Sequence, residues 1–475
     1  MRKLSLALVV LAGLVHAQTW QPLTNQPTFY ASTALLLTDG TVMVQALVSG
    51  TGSGIWWRLT PDSSGSYLTG TWSQLASMPS GYGPLYYASA VLPNGQVVVN
   101  GGEYNLGNTQ VETNLGAIYN PVTNTWRSLA APTGWTAIGD APSVVLSNGQ
   151  YMLGNCCYDT QALLNPTTLK WTITGAGKAD SNSEEGWTLL PEATVLTVDV
   201  DDAPNTELYN PTTGTWSSAG KTPMDLAEYT EMGPAVLRPT GTVFATGASG
   251  DTAIYTPAAG GPGSWTAGPA FPVVGGKQLD IADGPAALLP NGDVLCAASP
   301  GAYETPLYFY VYNGTTLTAA PRTPNAPQDS SYYGRMVILP TGQVFFTDGS
   351  KDIELYTASG APNPAWAPVI SSAPASVTPG DTYEISGVLF NGMSQGSAYG
   401  DDAQSATNYP LVRITMTATG HVFYCRTAGH SSMAVASPAT VSTHFEVPST
   451  IETGTGDLVV VANGIASAPV AVTVN

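Results

Sequence analysis

The sequence predicts an all-β protein: a seven-bladed β-propeller followed by a second, smaller β domain. Three observations predict it. One phrase returns with a period near fifty residues, glycine-containing turns split each copy into short strands, and the phrase stops near residue 367. A repeat of that length is one supersecondary unit that cannot bury its own face, so the copies must stack on one another.

The first half of the phrase is an apolar run, a turn and a second apolar run. It reads LLLTDGTVMV from Leu35, AVLPNGQVVVNGG from Ala90, VVLSNGQYMLGN from Val144, AVLRPTGTVFATG from Ala235, ALLPNGDVLCA from Ala287 and VILPTGQVFFTDG from Val337. A seventh copy, WTLLPEATVLTV from Trp187, lacks the glycine. Asn-Gly, Asp-Gly and Thr-Gly between apolar runs mark tight hairpins, because glycine supplies the positive φ such turns need. The second half reads IYNPVTNTW, LLNPTTLKW and LYNPTTGTW, ending at Trp126, Trp171 and Trp216. Val, Leu, Thr and Tyr dominate the runs, and no segment holds a helical period. Four strands per unit make a blade, and the period is that of kelch repeats.

Trp72, Trp126, Trp171, Trp216, Trp265 and Trp366 mark the ends of six units, with Leu317 in that place in the sixth. Trp20, in TWQPL, is an extra copy of the same strand and is expected to complete the last blade, although the strand around Trp366 competes for that role. These tryptophans are read as packing between blades.

Before the propeller, MRKLSLALVVLAGLVHA has two cations, an apolar run and a Val-x-Ala end, which predicts a secretory leader over residues 1–17, cleaved after Ala17. The propeller then spans 18–366 and the C-terminal domain 367–475. A secreted or cell-surface protein is expected. No further stretch is long enough to span a bilayer, so no membrane insertion is expected. The formal net charge is −19, and two units more negative once Arg2 and Lys3 leave. That argues against nucleic acid and anionic membrane surfaces as partners. Charged residues are 10% of the chain, where about 25% is usual. Four cysteines are too few for a disulfide framework. Adjacent Cys156 and Cys157 could bond to each other, and Cys296 reads as a small buried hydrophobe.

In the C-terminal domain, LVRITMTA, HVFYCRT, THFEVPS, DLVVVANG and APVAVTVN are strands about ten residues apart. They predict an immunoglobulin-like β-sandwich. His421, His430 and His444 all lie there. Asp401-Asp402, in a Gly-rich stretch, reads as an exposed solvated turn.

A leader, seven kelch-like blades and a C-terminal sandwich together resemble the galactose oxidase family of secreted copper-radical oxidases. The resemblance implies copper held by two tyrosines and two histidines, one tyrosine being cross-linked to a cysteine. Tyr332 matches the axial tyrosine and His421 the histidine of the C-terminal domain. Elsewhere the chain departs: Tyr333 stands for a histidine, Asp140 for the cross-linked tyrosine, and Tyr86 or Tyr87 for its cysteine. Copper(II) needs nitrogen ligands, so the scaffold is expected and copper is not.

The residues just before each blade's first strand converge on the rim of the central channel. Around the ring they are Tyr30, Tyr86, Asp140, Glu184 or Glu185, Glu231, Asp283 and Tyr333, with Arg335 the one cation beside them. Four consecutive blades contribute acids. One reading is structural, the acids accepting backbone N–H bonds at strand starts. A second is carbohydrate recognition: acids accept hydroxyl hydrogen bonds and rings stack on sugar faces. Calcium, which takes six to eight oxygen ligands, would suit clustered carboxylates. A third is an enzyme on the same face, either an oxidase with an altered metal site or a glycoside hydrolase using two of Asp140, Glu185 and Asp283. A structural adhesion or surface component is the remaining alternative.

Overall fold

The computed structural model describes residues 18–475; the expected leader, residues 1–17, lies outside them. Among the described residues, seven antiparallel sheets, each of four propeller strands, form the blades. Each copy of the phrase supplies one hairpin of inner strands. In blade 2, Ala88–Val91 pairs with Val97–Asn100 across Pro93-Asn94-Gly95, then with Gly116–Asn120 and Thr125–Ser128. First strands of neighbouring blades touch, so they line the channel.

The turn chemistry explains the recurrence of glycine. Gly40, Gly95, Gly149, Gly241, Gly292 and Gly342 all have φ between +76° and +87°. In blade 4, where the glycine is missing, Ala193 takes φ +65° in the same place. A left-handed non-glycine residue costs about 1–2 kcal/mol, so the hairpin is held by its neighbours rather than by its own preference.

The tryptophans occupy one register. Trp126 opposes Tyr119, Trp216 opposes Tyr209, Trp265 opposes Tyr255, and Leu317 opposes Tyr312. In the seventh blade Trp20 opposes Tyr356, because Thr19–Pro22 pairs with Glu354–Thr357. The N-terminal strand therefore closes the ring. Trp366 lies instead in a 3-10 turn after the propeller, with its ring over Gly292. Indole N–H groups bond to the preceding unit: Trp126 to Ala76 O at 3.0 Å, Trp171 to Ala130 O at 2.7 Å, Trp20 to Pro321 O at 2.8 Å. These are packing roles, as the sequence reading expected.

The C-terminal region is a curled mixed sheet, a half-barrel, in place of a sandwich of two separate layers. The reason is one shared strand. Val422–Ala428 pairs with Leu411–Met416 through its first half and with Val441–Glu446 through its second, joining both sides into one path. Alternate residues such as Val412, Ile414 and Met416 fill the concave core. This sheet sits on the hairpin-turn end of the ring: Thr427 N–H bonds to Thr38 O at 3.1 Å and Met433 N–H to Ser147 O at 3.0 Å.

From that end, the segment 391–409 threads the channel. Ser397–Ala398 adds a strand to the inner edge of blade 6. Leu189 N–H bonds to Gln395 Oε1 at 2.7 Å, Ser89 Oγ to Gln404 O at 2.9 Å, and Ser405 Oγ to Met336 O at 2.7 Å, so blades 2, 4 and 7 also hold it. A polar segment is tolerated inside the channel because polar groups of the inner strands satisfy it. Asp401 and Asp402, read from sequence as a solvated turn, are 2% and 1% exposed at its tip.

A candidate carboxylate site at the propeller mouth

At the end of the channel opposite the C-terminal sheet lies an open pocket of about 390 Å³. Seven carboxylates line it: Glu103, Asp140, Glu184, Glu231, Asp283, Asp401 and Asp402. Five tyrosines complete the wall: Tyr86, Tyr104, Tyr303, Tyr332 and Tyr333. The rim position thus delivers Tyr86, Asp140, Glu184, Glu231, Asp283 and Tyr333 together.

Backbone geometry aims several of them. Tyr86, Glu184 and Asp283, in equivalent places before blades 2, 4 and 6, have φ of +51°, +56° and +53°. Non-glycine residues rarely sit there, and such positions persist only where the surroundings enforce them. The twist turns each side chain toward the channel instead of along its strand.

Two rim expectations change. Tyr30 is 49% exposed and stacks under Lys351 Nζ at 4.9 Å, away from the pocket. At the Glu184/Glu185 position it is Glu184 that faces the pocket. Glu185 turns into blade 4, fully buried, where Lys178 Nζ meets it at 2.8 Å and meets Glu207 at 2.7 Å. As a catalytic candidate Glu185 is therefore displaced by a buried ion pair.

Arg335 lies behind the wall, with its guanidinium 3.9 Å from the Tyr399 ring centre and 5.8 Å from that of Tyr86. It donates to Tyr332 O at 2.6 Å and Gly334 O at 2.8 Å. Its guanidinium is thus engaged by backbone carbonyls and tyrosine faces, and it is not among the residues that line the pocket. Among the rings, Tyr332 and Tyr333 lie 4.1 Å apart and Tyr303 meets Tyr332 edge-on at 5.0 Å. Tyr303 O–H donates to Glu231 Oε1 at 2.9 Å.

The acids crowd. Ligand oxygens of Asp140, Glu184 and Asp401 lie within 4.8 Å of one another, and so do those of Glu184, Glu231 and Asp283. Burial first, and neighbouring carboxylates second, push Asp140, Glu184, Asp283 and Asp401 well above the usual carboxylate range. Asp402 is pushed by burial up to about 6, against the pull of Arg335. Glu103 is pushed by burial up to about 7, against a hydrogen bond from Tyr104. Several acid oxygens have no well-aligned donor: Glu231 Oε2, Asp401 Oδ2 and both of Asp402, although the Tyr87 and Asp402 N–H groups still steady the Asp402 charge and the Glu184 and Asp283 carboxyls that of Glu231. Buried anions without donors demand protons or a cation.

The three histidines expected in the C-terminal region stay there. His421 pairs with Glu452 on the surface of the sheet. His430 is buried against Tyr409 with Nδ1 2.8 Å from Thr443 Oγ1, and His444 is exposed beside Glu384. His421 thus matches a family position in sequence only; it stands outside the pocket. Tyr332 does line it. Cys156 and Cys157 are bonded to each other, while Cys296 and Cys425 are free and buried.

Comparison with models of known protein families finds no match, and none is found among curated proteins. Among solved structures, the chain is similar to a fungal alcohol oxidase of the AA5 family in complex with copper. The TM-score is 0.55 at 13% identity, over 97% of this chain and 100% of that one. It is also similar to catalytically inactive virginiamycin B lyase from Staphylococcus aureus with quinupristin, with TM-score 0.50 at 11% identity, over 72% of this chain and 99% of that one. At these identities the likeness establishes the propeller fold alone.

A copper-radical centre does not fit this pocket. Among the described residues its lining offers carboxylate and phenol oxygens and no histidine or cysteine. Copper(II) takes imidazole nitrogen alongside any oxygen ligands, and this lining supplies no imidazole, whereas hard divalent ions are held by oxygen alone.

Proposed function

We propose that the propeller mouth recognises carbohydrate, with a hard divalent cation such as calcium held among its carboxylates. The observation that carries this reading is the set of buried acid oxygens without donors, ringed by tyrosines, at one open pocket. A cation relieves the repulsion and leaves coordination positions for sugar hydroxyls. Tyr333 and Tyr303, 45% and 59% exposed, offer faces for the apolar side of a sugar ring. The expected export leader suits a glycan target outside the cell. The scaffold is read as galactose oxidase-like, of kelch type, with the copper-radical site not retained.

Calorimetric titration with an oligosaccharide panel tests this. Binding is expected in calcium, with at least a tenfold loss in chelator and in Asp283→Asn, and a smaller loss in Tyr333→Ala. Equal affinity in calcium, in chelator and in Asp283→Asn would overturn the reading.

Glu103 favours a second reading. A half-buried carboxyl pushed by burial to about 7, at the same pocket as Asp140, is suited to acid–base work near neutral pH. A glycoside hydrolase on this face would bind the same sugars and also turn them over, and product formation in the same panel separates it from recognition alone.

A further inference from the structure

Five of the mouth carboxylates form two groups. Asp140, Glu184 and Asp401 make one, and Glu184, Glu231 and Asp283 the other. In each group all ligand oxygens lie within 4.8 Å of one another. That span is about twice a calcium–oxygen distance of about 2.4 Å, so each group fits around one ion. The five do not form a single group within that span, so their oxygens as placed suit two ions better than one. Glu184 belongs to both.

Each group also carries its own sign of a missing partner. In the first, Asp401 is 2% exposed and its Oδ2 has no donor. In the second, Glu231 is 6% exposed; Oε1 accepts from Tyr303, while Oε2 has no well-aligned donor and faces only the neighbouring acids Glu184 and Asp283. The two orphan oxygens lie on different segments of the chain, one on the inserted C-terminal segment and one on the rim of blade 5. One divalent ion offsets two of the five acid charges, and two ions offset four. Carboxylate-bridged pairs of this kind hold their ions about 3.5–4 Å apart.

We propose that the mouth takes two divalent cations, one in each group, bridged by the Glu184 carboxylate. This rests on the cation-assisted reading above and makes it specific. Two adjacent ions, each with open positions toward the tyrosine wall, offer a pair of sites matched to two neighbouring oxygens of one ligand. The chemical class they select is a sugar with a vicinal diol, its two hydroxyls replacing one water on each ion.

Manganese(II) is the probe, because it takes oxygen ligands and is paramagnetic. Chelator-treated full-length mature protein is dialysed against manganese, and bound metal and its electron paramagnetic resonance are measured. Two ions per chain with an exchange-coupled spectrum are expected. Glu184→Gln should abolish the coupling and weaken both ions at least tenfold, with circular dichroism confirming the fold. Should that variant not fold, Asp401→Asn and Asp283→Asn replace it, each expected to reduce the stoichiometry from two to one and remove the coupling. One ion per chain at saturation, or two uncoupled ions indifferent to these substitutions, overturns the pair. A single ion with calcium-dependent sugar binding intact would sink the pair and leave the recognition reading standing. Two coupled ions without sugar binding would do the reverse.

Discussion

Trp20→Ala is expected to destabilise the entire ring, although residue 20 lies at least 289 positions in sequence from the aromatic rings it packs on. Its indole packs on Phe309, Phe346 and Tyr356, with ring centres 4.7, 5.5 and 5.0 Å away, and its N–H bonds to Pro321 O. Truncating a large aromatic in such a cluster costs about 3 kcal/mol. Deleting residues 18–22 goes further, since it also exposes the edge strand Glu354–Thr357 and removes the pairing that joins the two ends of the propeller. The deletion should lower the denaturant midpoint more than Trp20→Ala and promote aggregation through the bare edge. Chemical denaturation followed by intrinsic fluorescence reads both. Unchanged midpoints in both variants would mean that another segment closes the ring.

Gly186→Ala is expected to disassemble the mouth while the blades stay folded. A side chain at Gly186 would place its Cβ 2.2 Å from the carbonyl oxygen of Gly400, on the inserted segment just before Asp401. Backbone cannot yield as a flexible side chain can, so the tip must retreat. Gly400 is equally confined: a Cβ there would lie 2.6 Å from Asp283 Oδ1 and 2.9 Å from Met232 O. Displacing the tip withdraws Asp401 and Asp402 together, and the loss of cation affinity should exceed that of Asp401→Asn alone. Gly107→Ala, on the same side of the ring, would meet nothing within 4 Å and serves as the control. Calcium titration of the wild type and the three variants tests this. Wild-type affinity in Gly186→Ala would show that the inserted tip takes no part in the site.

The blades were legible in the sequence because their turns carry a chemical requirement. Where φ must be positive, glycine returns every fifty residues, and the tryptophan on the outer strand repeats with it. Even the irregular blade could be found, since Ala193 keeps the apolar runs on either side in register. Half the mouth was legible for the same reason: a residue one to four places before an inner strand lands on the rim. Three more lining residues follow from hairpin geometry. In an antiparallel hairpin the end of the second strand returns to the start of the first, so the loops after the second strands reach the same rim. Glu103 and Tyr104 follow Val97–Asn100, and Tyr303 follows Val294–Ala298.

Asp401 and Asp402 carried no such signal. Their segment is small, polar and rich in glycine, which is the composition of an exposed loop. What buries it is long-range: Ser89, Leu189, Ala286 and Met336, far apart in the chain, together form the channel that accepts it. The curled C-terminal sheet was hidden for a related reason. The strand spacing is that of a sandwich, and the joining of its layers depends on Val422–Ala428 changing partners midway. Glu184 and Glu185 are chemically alike, and only the left-handed turn at Glu184 decides which one faces the pocket.

The most direct test of the account is a crystal structure of the mature protein grown with calcium. Density for calcium is expected at the mouth, with oxygen ligands from Glu184 and from Asp401 on the inserted tip, at about 2.4 Å. Carboxylates paired through shared protons at saturating calcium, with no ion between them, would contradict it.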